Sequence, residues 1–400
     1  MSYTLAADHD AAPNAPIPLA SKLTSRLLSL RSYRTNAPKR VFARLPQTSQ
    51  ERLEATLSDQ KFDHASLATW LDRGSAEKEK TVLYLAYGSN LCNETFRGVR
   101  GIRPLSQTNV LVPSLRLTFD LPGIPYAEPC FANTAKRAPD GPKNSVDQPG
   151  DQDYHKDRWR KGLVGVVYEV TRKDYAHIIA TEGGGSSYHD VLVDCYVLPP
   201  SDTVPTLPTS QPFKAHTLFA PVVDDDESTQ HNGRVTRPDP SYAQPSARYL
   251  KLITDGAAEC DLPGEYQEYL HGIRPYTVTS RKQAAGKALF LAIWMPFVMF
   301  ILTVSGRLQD KKGRTPWWFA RLSAMVFAGM WLSYDGAFKK VFGDGERTIG
   351  DEDAAGERAE LEPVSKAYAE KEMLLEGVVE AMQSQRRNSL MDEDRRPDFA

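Results

Sequence analysis

Two short stretches hold residue types whose spacing could do chemistry. The first is Tyr84-Leu85-Ala86-Tyr87-Gly88-Ser89-Asn90, inside Thr81 to Leu91, where an apolar strand runs directly into a Gly-Ser-Asn turn. Val82, Leu83 and Leu85 with two tyrosines suit a buried strand, and Gly88 lets the backbone turn until successive N–H groups face one concavity. Such a concavity seats a carboxylate or an oxyanion, although a strand followed by Gly-Ser-Asn is more often an ordinary turn. The second stretch is Glu182, which follows a predicted helix and precedes Gly183-Gly184-Gly185-Ser186-Ser187-Tyr188. A carboxylate at a helix C-terminus opposes the macrodipole, and a raised pKa is what an acid/base carboxyl needs near neutral pH. The competing reading is a solvated Glu before a glycine C-cap, which the local sequence alone favours.

The elements that must position these residues lie between Thr81 and Tyr276. Strands are predicted over 81–87, 108–119, 163–170, 190–198 and 213–219, separated by Gly, Pro and Asp clusters. Helices are predicted over Arg172 to Thr181, around Ser246 to Asp255, and over Pro263 to Ile273. The fold class is therefore α+β, with a small curled mixed sheet or β-barrel and a few helices. Ala138 to Trp159 and Pro199 to Tyr242 read as surface insertions.

The chain is 400 residues long, 41 % hydrophobic and 25 % charged, enough for a domain with appendages. Its formal net charge of −2 gives no field that argues for nucleic acid. Cys92, Cys130, Cys195 and Cys260 are far apart, with no metal-ligand spacing, and read as reduced, mostly buried thiols in a cytosolic setting; no metal is expected. The N-terminus lacks the apolar core of a secretory signal. Residues 1–45 are rich in Pro, Ala and Ser with basic residues through Arg44, which reads as a disordered basic arm in preference to an organelle-targeting peptide. Within it, Leu23 to Leu30 has the pattern of a short amphipathic helix, and Gln50 to Leu71 that of a surface helix, so 1–80 forms one leading segment.

Beyond Tyr276 the composition changes. Residues 277–340 read as a membrane segment in which Ala288 to Gly306 is a run of nineteen residues without a charge. At about 1.5 Å per helical residue it just crosses a hydrocarbon core of about 30 Å. Trp317 to Tyr334 is either a second span, completing a hairpin, or a helix lying in the interface. Residues 341–400 form a charged tail, with a helical pattern over Val364 to Met382 and a basophilic-kinase-like stretch at Arg386-Arg387-Asn388-Ser389-Leu390.

Four separated stretches in one order carry a family resemblance. They are Tyr84 to Leu91, Gly165-Val166-Val167-Tyr168, Glu182-Gly183 followed by Tyr188, and Pro245-Ser246-Ala247-Arg248-Tyr249. The last continues into Ile253-Thr254-Asp255-Gly256-Ala257 and Leu262-Pro263-Gly264-Glu265-Tyr266-Gln267. Over Thr81 to Tyr276 the chain resembles the γ-glutamylcyclotransferase family. That resemblance implies a lyase that cyclises a γ-glutamyl amino acid to 5-oxoproline and frees the amino acid, without cofactor or metal. It implies a substrate-binding turn at Tyr84, Leu85, Ala86, Tyr87, Gly88 and Ser89, an acid/base carboxylate at Glu182 and a substrate-contacting tyrosine at Tyr249. Asn90 belongs to the same turn, and its amide joins those of Gly88 and Ser89 in holding the α-carboxylate or the oxyanion. Tyr188 matches a loop tyrosine of the family, with a spacing from Glu182 one residue shorter. The alternatives are glutathione, a γ-glutamyl amine or another γ-glutamyl conjugate as substrate, or a non-catalytic, membrane-anchored binding module. The sequon Asn93-Glu94-Thr95 lies behind the turn, where a glycan would threaten access, so the catalytic domain is expected to face the cytosol.

Overall fold

The computed structural model describes residues 42–60, 80–137, 155–181, 189–219, 237–308 and 316–349. Among the described residues there are seven strands: β1 (Thr81–Ala86), β2 (Ser106–Val112), β3 (Leu115–Ile124), β4 (Glu128–Lys136), β5 (Leu163–Thr171), β6 (His189–Val197) and β7 (Pro212–Phe219). Strands β1, β5, β2, β6 and β7 close a barrel in that order, and β3 with β4 makes a separate two-stranded hairpin. Strand β1 runs antiparallel to β5, with Tyr84 opposite Tyr168, and parallel to β7 at Tyr84 and His216. Leu163 to Tyr168 is buried without alternation, as expected for a strand covered on both faces.

Helices close the barrel and link it to the C-terminal half. The first, α1 (Gln50–Ala55), is capped by Ser49 and passes into a 3₁₀ turn at Thr56–Ser58. Helix α2 (Arg172–Thr181) follows β5 directly, with the Thr171 hydroxyl accepting from the Asp174 amide at 3.1 Å. In α3 (Ala247–Glu259) the Ser246 side chain accepts from the Tyr249 amide at 3.0 Å, a cap that contributes about 1 kcal/mol. Its buried positions Leu250, Ile253, Thr254 and Ala257 follow the helical repeat and face the barrel. Helix α4 (Gly264–Gly272) buries Tyr266 and Leu270.

Beyond Ser280 the described residues form a helical hairpin. Helix α5 (Arg281–Leu308) contains Pro296, and α6 (Trp317–Ser333) continues through a π turn at Tyr334–Phe338 into α7 (Lys339–Phe342). Trp294 Nε1 donates to Ser333 Oγ at 3.0 Å between the two long helices. Tyr126, Phe290, Val298, Met330, Trp331 and Tyr334 form a second core, distinct from the barrel's. Leu289, Ile293, Phe297, Phe300 and Leu302 of α5 stay exposed, as do Trp318, Met325 and Leu332 of α6.

Several elements differ from the sequence expectation. The run expected as one strand over 108–119 is broken at Pro113-Ser114, where the chain turns from β2 into the hairpin. Strand β4 was not expected from the sequence: Phe131 and Thr134 are its one aromatic and its one β-branched residue, and Pro129 and Asn133 are types that strands disfavour. The helix expected over 50–71 is a single short helix and a 3₁₀ turn before 61–79, which lie outside the described residues. The two stretches read as surface insertions contribute to the core. Trp159 packs on Tyr266 and Tyr269 at 5.0 and 5.3 Å between ring centroids, Lys156 is buried, and β7 is a barrel strand. Leu23 to Leu30, Val364 to Met382 and the Arg386 to Leu390 stretch lie outside the described residues.

Candidate active site

The barrel opens at the C-terminal end of β1. There Gly88 leads into a 3₁₀ turn, Ser89–Leu91, closed by hydrogen bonds from the Leu91 amide to Gly88 O (3.0 Å) and from the Cys92 amide to Ser89 O (3.2 Å). Gly88 has φ −113°. Its role is space: a Cβ there would lie 3.4 Å from the Tyr249 hydroxyl and 3.5 Å from Ala132 Cβ, filling the floor of a cleft.

That cleft, whose space of about 380 Å³ includes its open mouth, is lined by Tyr84, Tyr87, Gly88, Ser89, Asn90, Ala132, Leu218 and Tyr249. It brings together residues of the first turn and a tyrosine far away in sequence. Asn90 Nδ2 donates to the Tyr84 hydroxyl at 2.8 Å, and the Tyr87 hydroxyl donates to Leu218 O at 3.2 Å. Tyr249 OH accepts from the Ala132 amide at 3.2 Å, and its ring meets Phe131 edge-on at 5.0 Å. Leu85 and Ala86 are buried in β1 and line the barrel core, not the cleft. Among the described lining residues none carries a charge. A carboxylate entering such a lining loses solvation, which raises its pKa.

The cleft has two walls of different origin. One is the β1 turn, backed by α3 through Gly256, where a Cβ would come within 2.4 to 2.6 Å of Leu91 and Cys92 atoms. The other is Ala132 of the β3–β4 hairpin with Tyr249 of α3, tied by Glu128. Its Oε1 accepts from Ser246 Oγ and Arg248 Nε, both at 2.8 Å.

Glu182 and Tyr188 lie outside the described residues. The elements on either side of them are α2, ending at Thr181, and β6, beginning at His189. His189 is opposite Phe219 on β7, beside the cleft residue Leu218. These two elements are stapled by a buried cluster. Tyr175 OH donates to Asp190 Oδ1 at 2.5 Å, and His216 Nδ1 lies 3.0 Å from both Asp190 oxygens. Burial, then the Asp190 charge, pushes the Tyr175 phenol well above its ordinary value. The Tyr175 ring centroid is 6.0 Å from that of Tyr84.

Sequence reasoning missed Ala132 and Leu218, whose side chains carry no chemical label, and the Tyr175, Asp190 and His216 cluster. Its only signal was the spacing of Tyr175 and Asp190 around the glycine-rich stretch. The thiol of Cys92, next to the turn, is buried, and that burial raises its pKa, which makes it unreactive. All four cysteines are buried and unpaired.

With this geometry in view, comparisons with known proteins are informative. Residues 280–341 match the AclK C-terminal domain family. The chain is 31 % identical over 266 residues to the gamma-glutamyl cyclotransferase gliK of Aspergillus fumigatus, covering 66 % of this chain and 89 % of that protein. It is 29 % identical over 283 residues to the gamma-glutamyl cyclotransferase aclK of Aspergillus oryzae, covering 69 % and 94 %. A solved structure described as a gamma-glutamyl cyclotransferase aligns with TM-score 0.33 at 20 % identity, over 50 % of this chain and 93 % of its own. The chain belongs to the gamma-glutamyl cyclotransferase family, and it is an enzyme of that type.

Proposed function

We propose that the cleft binds the γ-glutamyl group of a γ-glutamyl amino acid and cyclises it to 5-oxoproline, with Glu182 as general acid/base. The observation that supports this most is the cleft itself, which joins the Tyr84 to Asn90 turn to Tyr249 across a neutral lining. In the reaction, the substrate's α-amine nitrogen attacks its own γ-carbonyl carbon. A new C–N bond closes the ring, the old amide C–N bond breaks, and the departing amine leaves protonated. The proton lost by the α-amine passes to Glu182 and from it to the leaving nitrogen, so the carboxylate is regenerated. Turn amides of Gly88, Ser89 and Asn90 hold the α-carboxylate or the oxyanion that develops on the γ-carbonyl. Because ring closure is intramolecular, holding the glutamyl chain bent in the cleft can contribute up to about 7–11 kcal/mol. No nucleophilic side chain and no cofactor is needed.

The test uses the full-length protein in detergent or lipid nanodiscs with a γ-glutamyl dipeptide, measuring 5-oxoproline release. Removing a general acid/base costs roughly 10²–10⁴-fold, so Glu182→Gln should lose at least about a hundredfold in kcat with its fold intact. Equal turnover by wild type and Glu182→Gln overturns the role of Glu182. A panel that adds glutathione, a γ-glutamyl amine and larger γ-glutamyl conjugates identifies the leaving group.

We also propose that the α5–α6 hairpin engages a membrane with the cyclotransferase domain on the cytosolic side. Residues Arg281–Val304 of α5 form the one described helix long and apolar enough to cross a bilayer, with mean hydropathy 2.1 and 17 % of its most apolar window buried. Asn93 sits at the start of a π turn, Glu94–Val99, with its side-chain oxygen accepting from Arg97 at 3.3 Å. A glycan on its Nδ2 would stand two residues past the Ser89–Leu91 turn and crowd the cleft, which favours the cytosolic face.

A further inference from the structure

After α7 the chain reverses at Gly343, whose φ of +94° suits glycine, and residues 343–349 run back over the cyclotransferase domain. This strap touches both elements of the cleft's outer wall. At the hairpin tip, Tyr126 is fully buried with φ +65°. Its amide donates to Gly345 O at 2.7 Å and its hydroxyl to Gly343 O at 2.8 Å. The fit is tight, since a Cβ on Gly345 would stand 2.9 Å from the Tyr126 ring.

Two residues before the cap of α3, Gln244 is also fully buried. Its amide donates to Glu346 O at 2.9 Å, its Oε1 accepts from the Thr348 amide at 2.6 Å, and its Nε2 donates to Arg274 O at 3.1 Å. Thr348 Oγ1 accepts from the Thr277 amide at 2.9 Å. The strap is itself stiffened by Asp344, which accepts from the amides of Glu346 and Arg347 and from the Tyr242 hydroxyl at 2.7 to 2.9 Å.

The outer wall needs such a support. Hairpin β3–β4 shares no ladder with the barrel, yet it supplies Ala132 and Phe131, while α3 supplies Tyr249. Glu128 joins hairpin to helix, and the strap grips the hairpin at Tyr126 and the chain entering the helix at Gln244. We propose that Gly343–Ile349 is a positioning segment for the substrate site, holding the Ala132 and Tyr249 wall at the width a γ-glutamyl group requires. This rests on the reading of the cleft given above.

The experiment measures kcat and KM for a γ-glutamyl dipeptide with the full-length chain in nanodiscs, together with the Tm. Gly345→Ala, which pushes on Tyr126, is expected to raise KM about tenfold with a smaller change in kcat, the effect of a displaced binding wall. Tyr126→Phe, which removes the hydroxyl's bond to Gly343 O, and Thr348→Val, which removes the hydroxyl's bonds to Thr277, are expected to raise KM at least about twofold, so they carry the test if Gly345→Ala does not fold. A lowered Tm and lowered kcat at unchanged KM in the folded variants means the strap only stabilises the protein, and overturns the proposal. Wild-type protein that neither binds nor turns over any γ-glutamyl dipeptide overturns the cleft reading and the strap's role together. Wild-type turnover with unchanged variant KM overturns the strap alone.

Discussion

The Tyr249 hydroxyl shows how the cleft is kept in shape one atom at a time. It accepts the Ala132 amide of a neighbouring hairpin, so a side chain of α3 satisfies a backbone donor that has no place in the barrel ladder. Asn90 and Tyr87 hold the opposite side by similar short bonds to Tyr84 and Leu218. Asp344 plays the corresponding part in the strap. Its burial alone would raise its pKa, but hydrogen bonds from Tyr242, the Glu346 amide and Lys339 outweigh that and hold it below the ordinary carboxylate value. A depressed folded pKa means that its contribution is complete above the unfolded value and is lost as pH falls through the folded one. The Tm gap between wild type and Asp344→Asn should therefore be constant from neutral pH down to the ordinary aspartate range and shrink below it. A gap that widens with acid would contradict the assignment. At this scale the turn residues were legible because Tyr84 to Asn90 is contiguous. Ala132 and Leu218 were not, because what qualifies them is position and not chemistry.

At the scale of elements, α3 is the piece that most of the site leans on. It carries Tyr249, receives the Glu128 tie at its first turn, and presses Gly256 against the backbone of Leu91 and Cys92. The added methyl of Gly256→Ala has backbone in its way, so the helix must back off the turn that follows β1. The expected result is a loss of about 1–3 kcal/mol of stability, read as a lower Tm, and a raised KM. An unchanged Tm and KM would show that α3 and the turn are not in firm register. The strands at 163–170, 190–198 and 213–219 and the helices at 172–181 and 263–273 were legible within a residue or two, since each has a clean apolar period and a turn signal at its ends. The β2–β3 boundary was hidden because apolar alternation continues across Pro113-Ser114. Strand β4 was hidden because its polar residues are buried: Asn133 is fully buried and donates to Asp120 at 2.8 Å.

For the whole molecule, the barrel and the helical hairpin share a polar seam. Arg237 bridges Asp335 and Glu346 while stacking over Trp331 at 4.1 Å, and Lys339 pairs with Asp344 at 3.0 Å. Burial works against the Arg237 charge, but the hydrogen bonds it donates to the Asp335 and Glu346 carboxylates outweigh that and raise its pKa, so it stays charged at any working pH. The sequence Gly343-Asp344-Gly345-Glu346-Arg347 reads as a solvated tail because its charges are local and their partners are not. Away from the seam, the hairpin presents Ile293, Phe297 and Phe300 outward. Full-length protein should float with phosphatidylcholine and phosphatidylserine vesicles. Substituting all three by Asp should abolish flotation, since each charge at the centre of a span costs about 2.5–3.5 kcal/mol. Full-length protein that stays monodisperse without detergent and ignores the vesicles would rule out the membrane reading.

The separation of the β3–β4 hairpin from the barrel ladder has an evolutionary consequence. A residue inserted near the register shift between Thr118 and Leu121 can move Ala132 without breaking one barrel hydrogen bond. Descendants of this fold can therefore widen or narrow the mouth of the cleft while the β1 turn stays as it is. Such a change leaves the barrel ladder whole but must repack Leu117, Phe119 and Cys130, which the hairpin lends to the barrel core.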